Sequence, residues 1–185
     1  MPSARTGEVT PQASLAAAFP ESAVLGERLV ELGLSIAVAE SCTGGLLGAA
    51  LTAVPGSSRY MRGGIIAYSD AVKVELLGVG EELLARLGAV SAEVAAAMAG
   101  SVAGRLEADL GLAITGVAGP GAEGTSKPVG LIYVAGCLGA RVEVVELRER
   151  GDREANRAAA VNAALRLGST LVAAGGPAAP PVAGR

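Results

Sequence analysis

Residues Leu34 to Gly45 read LSIAVAESCTGG. An apolar run of strand length, Leu34 to Ala39, ends at Glu40, Ser41 and Cys42, then passes through a Gly-Gly turn into helical spacing from about Leu46 to Ala53. Upstream, Val24, Leu25, Leu29 and Leu32 recur at helical spacing between Glu21 and Leu32. Downstream the alternation repeats, with a strand from Gly63 to Ser69, a helix with Asp70 as N-cap that stops at Gly78, a helix capped by Ser91 and running to about Glu107, and a strand from Leu110 to Thr115. Two further strands, Val129 to Leu138 and Val142 to Arg150, are joined by a tight Gly-Ala turn, and a last helix runs from Asp152 towards Leu171. The pattern predicts one α/β layered domain over residues 20–174, a mixed β-sheet flanked by helices. Residues 1–19 and 175–185, rich in Ala, Pro, Gly and Ser without periodicity, read as loosely ordered tails.

With 185 residues the chain has room for one domain. It is 51% hydrophobic and 18% charged, with a mean hydropathy of +0.48, which suits a buried core and not a disordered chain. There is no histidine. That excludes Ser-His-Asp and Cys-His nucleophile pairs and every histidine-containing zinc site, and leaves Lys, Tyr, Asp or Glu as the base. The two cysteines, Cys42 and Cys137, form no CxxC and are too few for a disulfide scaffold, which fits a cytoplasmic setting. A net charge of −3 argues against a nucleic-acid partner. The longest uncharged runs, Ser41 to Ser58 and Leu167 to Gly184, are broken by Gly, Pro, Ser or Thr and make poor membrane spans. The start, MPSARTGEV, lacks the layout of a signal peptide. A 51% hydrophobic, Ala-rich domain with short helices is expected to hide a face in a homodimer or other homo-oligomer.

Four stretches carry possible chemistry. At Ala39 to Gly45 a strand ends where a helix begins, and the free amides of Thr43, Gly44 and Gly45 suit an oxyanion or phosphate; Ser41 or Thr43 reads equally well as a plain N-cap. The run is not a P-loop, since no Lys-Ser/Thr follows the glycines. At Tyr68 to Lys73, Lys73 falls in the first turn of its helix, where the dipole disfavours a positive charge, and Ser-Lys pairing is a known substitute for Ser-His. Tyr68 then relays a proton or orients the lysine; the structural alternative makes Tyr68 a half-buried strand residue and Lys73 a solvated charge. The glycine-rich run from Ile114 to Gly130, including Thr115 and Gly116, lets backbone approach a ligand, with Lys127 adding charge, or is simply a surface loop. Arg153, at the first position of the last helix, opposes the dipole unless an anion lies nearby; otherwise it pairs with Glu149. Cys42 competes as nucleophile but lacks a histidine to activate it and reads better as a small buried thiol.

Taken together, AESCTGG at 39–45, PGSS at 55–58, AYSDAVK at 67–73, GAVS at 88–91, ITGVAGP at 114–120, KPVG at 127–130 and GDR at 151–153 resemble the nicotinamide-mononucleotide deamidase family, which is also the C-terminal domain of the competence-damage-inducible CinA proteins. The resemblance runs from about Glu21 to Leu171. It implies a serine amidohydrolase that converts nicotinamide mononucleotide to nicotinate mononucleotide and ammonia, with Ser41 as nucleophile, Lys73 as base, Tyr68 assisting, and Thr115 and Arg153 at positions tied to the active site. No cofactor and no metal are expected, because the positive pyridinium already makes the carbonyl electron-poor. Thr115 stands where some members have Ser, and the loop Gly121 to Ser126 departs from the commonest version. The length leaves no room for the amino-terminal domain of many CinA proteins, so the resemblance is to a stand-alone form. A domain that binds a nucleotide without turnover, and an amidohydrolase acting on another small carboxamide, are the competing readings.

Overall fold

The computed structural model describes residues 14–122 and 124–174. The first strand, β1 (Ile36–Glu40), is buried along its whole length and lies between two parallel neighbours, β2 (Met61–Ile66) and β3 (Leu110–Gly116). An antiparallel hairpin, β4 (Leu131–Leu138) and β5 (Arg141–Arg148), extends the sheet beyond β3, giving the order β2-β1-β3-β4-β5. Leu138 pairs with Arg141, so the hairpin turn is the two residues Gly139 and Ala140, as the sequence predicts.

Strand alternation sorts the core into two unlike halves. Ile36, Val38, Leu110, Leu112, Ile114, Ile132 and Val134 face α2 (Glu21–Leu32), α3 (Leu46–Thr52) and α7 (Arg153–Ala173) in a core of large aliphatic side chains. The intervening Ala37, Ala39, Ala113, Ala135 and Cys137 face α4 (Asp70–Leu77) and the Ala-rich α6 (Ala92–Arg105). Small side chains on both partners let α6 settle close to the sheet: a Cβ at Gly111 would run into the carbonyl oxygen of Ala99.

Several boundaries differ from the sequence reading, each for a local reason. The second strand ends at Ile66, not Ser69, because its partner β1 ends at Glu40; the Ala67 amide donates to the Glu40 carbonyl and Tyr68 lies beyond the sheet. Ser69, not Asp70, is the N-cap of α4, its hydroxyl accepting from the Val72 amide. The fourth strand opens at Leu131, because Gly130 takes a φ of 86°. Helix α5 (Glu81–Leu87), between Gly80 and Gly88, is absent from the sequence reading, as is the 3-10 turn Ser57–Arg59. At the N-terminus the loosely ordered tail proposed for residues 1–19 is overtaken by the one-turn helix α1 (Leu15–Ala18), which packs near α3, and by Phe19, only 5% exposed. The rest of both proposed tails, residues 1–13 and 175–185, lies outside the described residues. Among the described residues no helix is long and apolar enough to cross a membrane.

Gly111→Ala is expected to lower stability by about 1–3 kcal/mol through overpacking. Gly104→Ala, on α6 with no atom near a new Cβ, is expected to raise it by up to about 1 kcal/mol. Urea denaturation midpoints check both; equal effects would mean that the close approach of α6 to the sheet is not what Gly111 serves.

Candidate active site

The three parallel strands end on the same edge of the sheet, and the chemistry gathers there. Ser41 follows β1, with its amide donating to the Ile114 carbonyl; Thr115 lies at the end of β3; Tyr68 follows β2. A cavity of about 470 Å³ opens at this edge, and Ser41, Cys42, Tyr68, Asp70, Lys73, Thr115, Gly116 and Arg153 all line it. Of the ten residues singled out by sequence, six (Ser41, Lys73, Tyr68, Thr115, Gly116 and Arg153) therefore meet in one place.

Lys73 is 1% exposed, so it is not the solvated surface charge of the structural alternative. Its Nζ lies 3.4 Å from Asp70 Oδ1 and 3.5 Å from the Tyr68 carbonyl, both long contacts. Tyr68 is 59% exposed at the rim, not half-buried in a strand. Its hydroxyl accepts from Arg153 Nη2 at 3.1 Å, while Arg153 Nη1 donates to the Gly119 carbonyl at 2.7 Å. Arg153 thus bridges the tyrosine and the glycine loop, and does not pair with Glu149. Thr115 Oγ1 donates to the Ala89 carbonyl at 2.8 Å, tying β3 to the GAVS segment at 88–91.

Of the remaining four, Gly44, Gly45 and Lys127 need correction, and Thr43 keeps only its backbone amide. Thr43, Gly44 and Gly45 do not line the cavity, and the amides at the start of α3 are already engaged. Glu40, 1% exposed, accepts from the amides of Gly45 (3.1 Å), Leu47 (3.1 Å) and Gly48 (2.8 Å), so the positive end of α3 faces a carboxylate of this chain. Neither Ser41 nor Thr43 is the N-cap; that position is Gly45. The Gly44 amide donates to the Ser41 carbonyl at 3.0 Å, closing the turn. What remain are the amides of Cys42 and Thr43, which donate to no protein oxygen among the described residues. Lys127 does not line the cavity either; Gly121, Ala122, Gly124 and Thr125 of its loop do.

Sequence reasoning missed Glu40, Asn156, Arg157 and the α5 wall of the cavity formed by Leu84. The Asn156 side chain, buried, donates to the Ala118 carbonyl at 3.0 Å and accepts from the Gly151 amide at 3.0 Å. Arg157 Nη2 donates to the Thr43 carbonyl at 2.5 Å. Positions 153, 156 and 157 share one face of α7 by their spacing of three and four, which was a readable signal once Arg153 was suspected.

Burial pushes the Cys42 thiol up to about 11; its own backbone amide and the charges of Arg153 and Arg157 pull it down, and Glu40 adds to the rise. The thiolate is therefore scarce at neutral pH, which favours the inert-thiol reading of Cys42. Among the described residues no group of three or more His, Cys, Asp or Glu side chains is placed to hold a metal. Alkylation of Cys42 by iodoacetamide in the folded protein should rise with pH up to about 11 and at pH 8 run roughly 100-fold slower than for an ordinary thiol. Rapid labelling at neutral pH would return Cys42 as a nucleophile.

Comparison with known proteins agrees with the fold. The model of the CinA C-terminal domain family matches residues 20–172. A CinA-like protein of Gloeobacter violaceus is 52% identical over 120 residues, 65% of this chain and 28% of that protein, and one of Acidobacterium capsulatum is 48% identical over 135 residues, 73% and 33% respectively. The chain spans about a third of the length of the curated relatives it matches. Among solved structures, competence damage-inducible protein A of Klebsiella pneumoniae superposes with a TM-score of 0.81 at 31% identity, covering 84% of this chain and 97% of that one. The competence/damage inducible protein CihA of Agrobacterium tumefaciens superposes with a TM-score of 0.75 at 38% identity, covering 83% and 94%. The matching fold, the family model over nearly all described residues and relatives at about half identity place this chain in the CinA C-terminal domain family.

Proposed function

We propose that the chain is a serine amidohydrolase that hydrolyses nicotinamide mononucleotide to nicotinate mononucleotide and ammonia. The observation that carries the reading is the meeting of Ser41 and the buried Lys73 on one polar cavity, in a chain that has no histidine to serve as base.

In this reading Ser41 Oγ attacks the carboxamide carbon as Lys73, in its neutral form, takes the hydroxyl proton. The oxygen that gains negative charge is met by the amides of Cys42 and Thr43, the donors left open once Glu40 and the Ser41 carbonyl have taken Gly45 and Gly44. The proton passes to the departing nitrogen, the C–N bond breaks and ammonia leaves. Water then adds to the acyl group on Ser41 with Lys73 again as base, and the carboxylate is released. The pyridinium charge withdraws electrons from the carbonyl throughout. Tyr68, at the rim and held by Arg153, orients the Lys73 side of the cavity.

Recognition of a nucleotide is supported by the remaining guanidinium donors of Arg153, exposed at the cavity mouth, and by backbone of residues 116–119, 121, 122, 124 and 125. Lys127 has no part in this phosphate contact, because it is not in the lining.

Purified protein treated with a chelator is expected to release ammonia from nicotinamide mononucleotide, and Ser41→Ala and Lys73→Ala each to lower kcat by about 10³-fold or more. Well-folded wild type that releases none would leave a binding domain without turnover. The unphosphorylated riboside should be the poorer substrate, and Arg153→Ala should narrow that preference by raising KM for the mononucleotide; equal use of both compounds by wild type would remove the phosphate contact from the proposal.

A further inference from the structure

We infer that Arg157 is a positioning residue whose charge strengthens the Cys42 amide as an oxyanion donor through two hydrogen-bonded peptide groups; the inference rests on the acyl-transfer reading of the same site. Arg157 Nη2 donates to the Thr43 carbonyl at 2.5 Å. That carbonyl belongs to the peptide group whose N–H is on Gly44, and the Gly44 N–H donates to the Ser41 carbonyl at 3.0 Å. The Ser41 carbonyl in turn shares its peptide group with the Cys42 N–H. A cation at one end of such a series draws electron density toward itself through each peptide, so that each N–H becomes a stronger donor than it is alone. At the far end stands an amide with no protein oxygen to satisfy it, on a residue that lines the cavity beside Ser41.

Three observations favour this role over simple bracing. Arg157 forms no ion pair among the described residues, and its Nε is buried without a partner there, so its charge is not cancelled by a contacting carboxylate. Glu40, the nearest carboxylate to the turn, is spent on three amides of α3. The charge of Arg157 is felt at residue 42, where it opposes the rise of the thiol, as does the Cys42 amide itself; both stabilise negative charge at this point. Arg153, one helical turn earlier, binds Tyr68 and the glycine loop instead, so the two arginines divide between the mouth of the cavity and its reacting end.

The test compares wild type with Arg157→Lys, Arg157→Gln and Arg157→Ala, each first shown to be folded by thermal unfolding, and with Ser41→Ala as blank. Acylation of Ser41 by p-nitrophenyl acetate is followed beside ammonia release from nicotinamide mononucleotide, and the Cys42 amide is followed by ¹H–¹⁵N correlation. Arg157→Gln and Arg157→Ala should lower both the acylation rate and kcat by about 10- to 100-fold, less than outright loss of an oxyanion donor, with KM within about twofold. The Cys42 amide proton should move upfield, Arg157→Lys should lose less, and added methylguanidinium should restore part of the rate to Arg157→Ala. Unchanged rates, a change in KM alone, or a loss of rate with the Cys42 amide unmoved in Arg157→Lys and Arg157→Gln would overturn the inference. Wild type that is acylated by the ester but releases no ammonia would refute the substrate and leave Arg157 tested by the ester. Wild type inert to both would refute the acyl-transfer reading and the inference with it.

Discussion

A single buried carboxylate sets the geometry of the site. Glu40 ends β1 facing α3, and burial of a carboxylate is tolerated only where hydrogen-bond donors replace water. Three amides of the first turn of α3 do so, at 2.8 to 3.1 Å. The bonds pull the start of α3 back against the end of β1, which forces the four intervening residues, Ser41 to Gly44, into a tight turn closed by the Gly44 amide on the Ser41 carbonyl. Strand alternation then matters for chemistry: Glu40 goes to the α3 side of the sheet, and Ser41, the next residue, goes towards α4 and Lys73. Because the positive end of α3 is occupied by Glu40, the donors left for a substrate oxygen are those inside the turn.

The turn is also held from the opposite side. The first turns of α7 reach four separate loops: Arg153 the Gly119 carbonyl and Tyr68, Asn156 the Ala118 carbonyl and the Gly151 amide, and Arg157 the Thr43 carbonyl. These contacts join elements distant in sequence to one rigid helix, whose own start is fixed by Asp152 accepting from the Ala155 amide at 2.8 Å. Loops at the carboxyl edge of a parallel sheet are otherwise the most variable part of such a fold, and here they are tied down on the side where the cavity opens. The two-sided core serves the same end. Large side chains fill the α2, α3 and α7 side, while Ala and Gly on the other let α6 lie close to the sheet.

Much of this was legible in the residues. Apolar runs bounded by glycine located all five strands, and cap residues such as Ser91 and Asp152 located the helix starts they bind. The strand ends and α5 were less legible, because a strand stops where its partner stops, which is a property of pairing and not of local composition; the length of β2 is set by Glu40, more than twenty residues away. Ser41, Tyr68, Lys73, Thr115, Gly116 and Arg153 were found because each follows a strand or opens a helix at the same edge. Gly44 and Gly45 were misassigned because free amides at a helix start were assumed, whereas the Ser41 carbonyl takes the first and Glu40, read only as the last residue of a strand, takes the second. Lys127 was placed by charge alone, and charge does not say which way a loop faces.

The nucleophilic role of Ser41 in this frame is tested most directly by trapping its acyl intermediate. Rapid acid quench of the protein mixed with nicotinamide mononucleotide, followed by intact-mass measurement and peptide mapping, should find a nicotinoyl group esterified to the peptide containing Ser41, formed and lost at rates consistent with turnover and absent from Ser41→Ala. Turnover with the acyl group on Cys42, or with no acyl-protein formed at any quench time, would contradict the placement of Ser41 as the group that attacks.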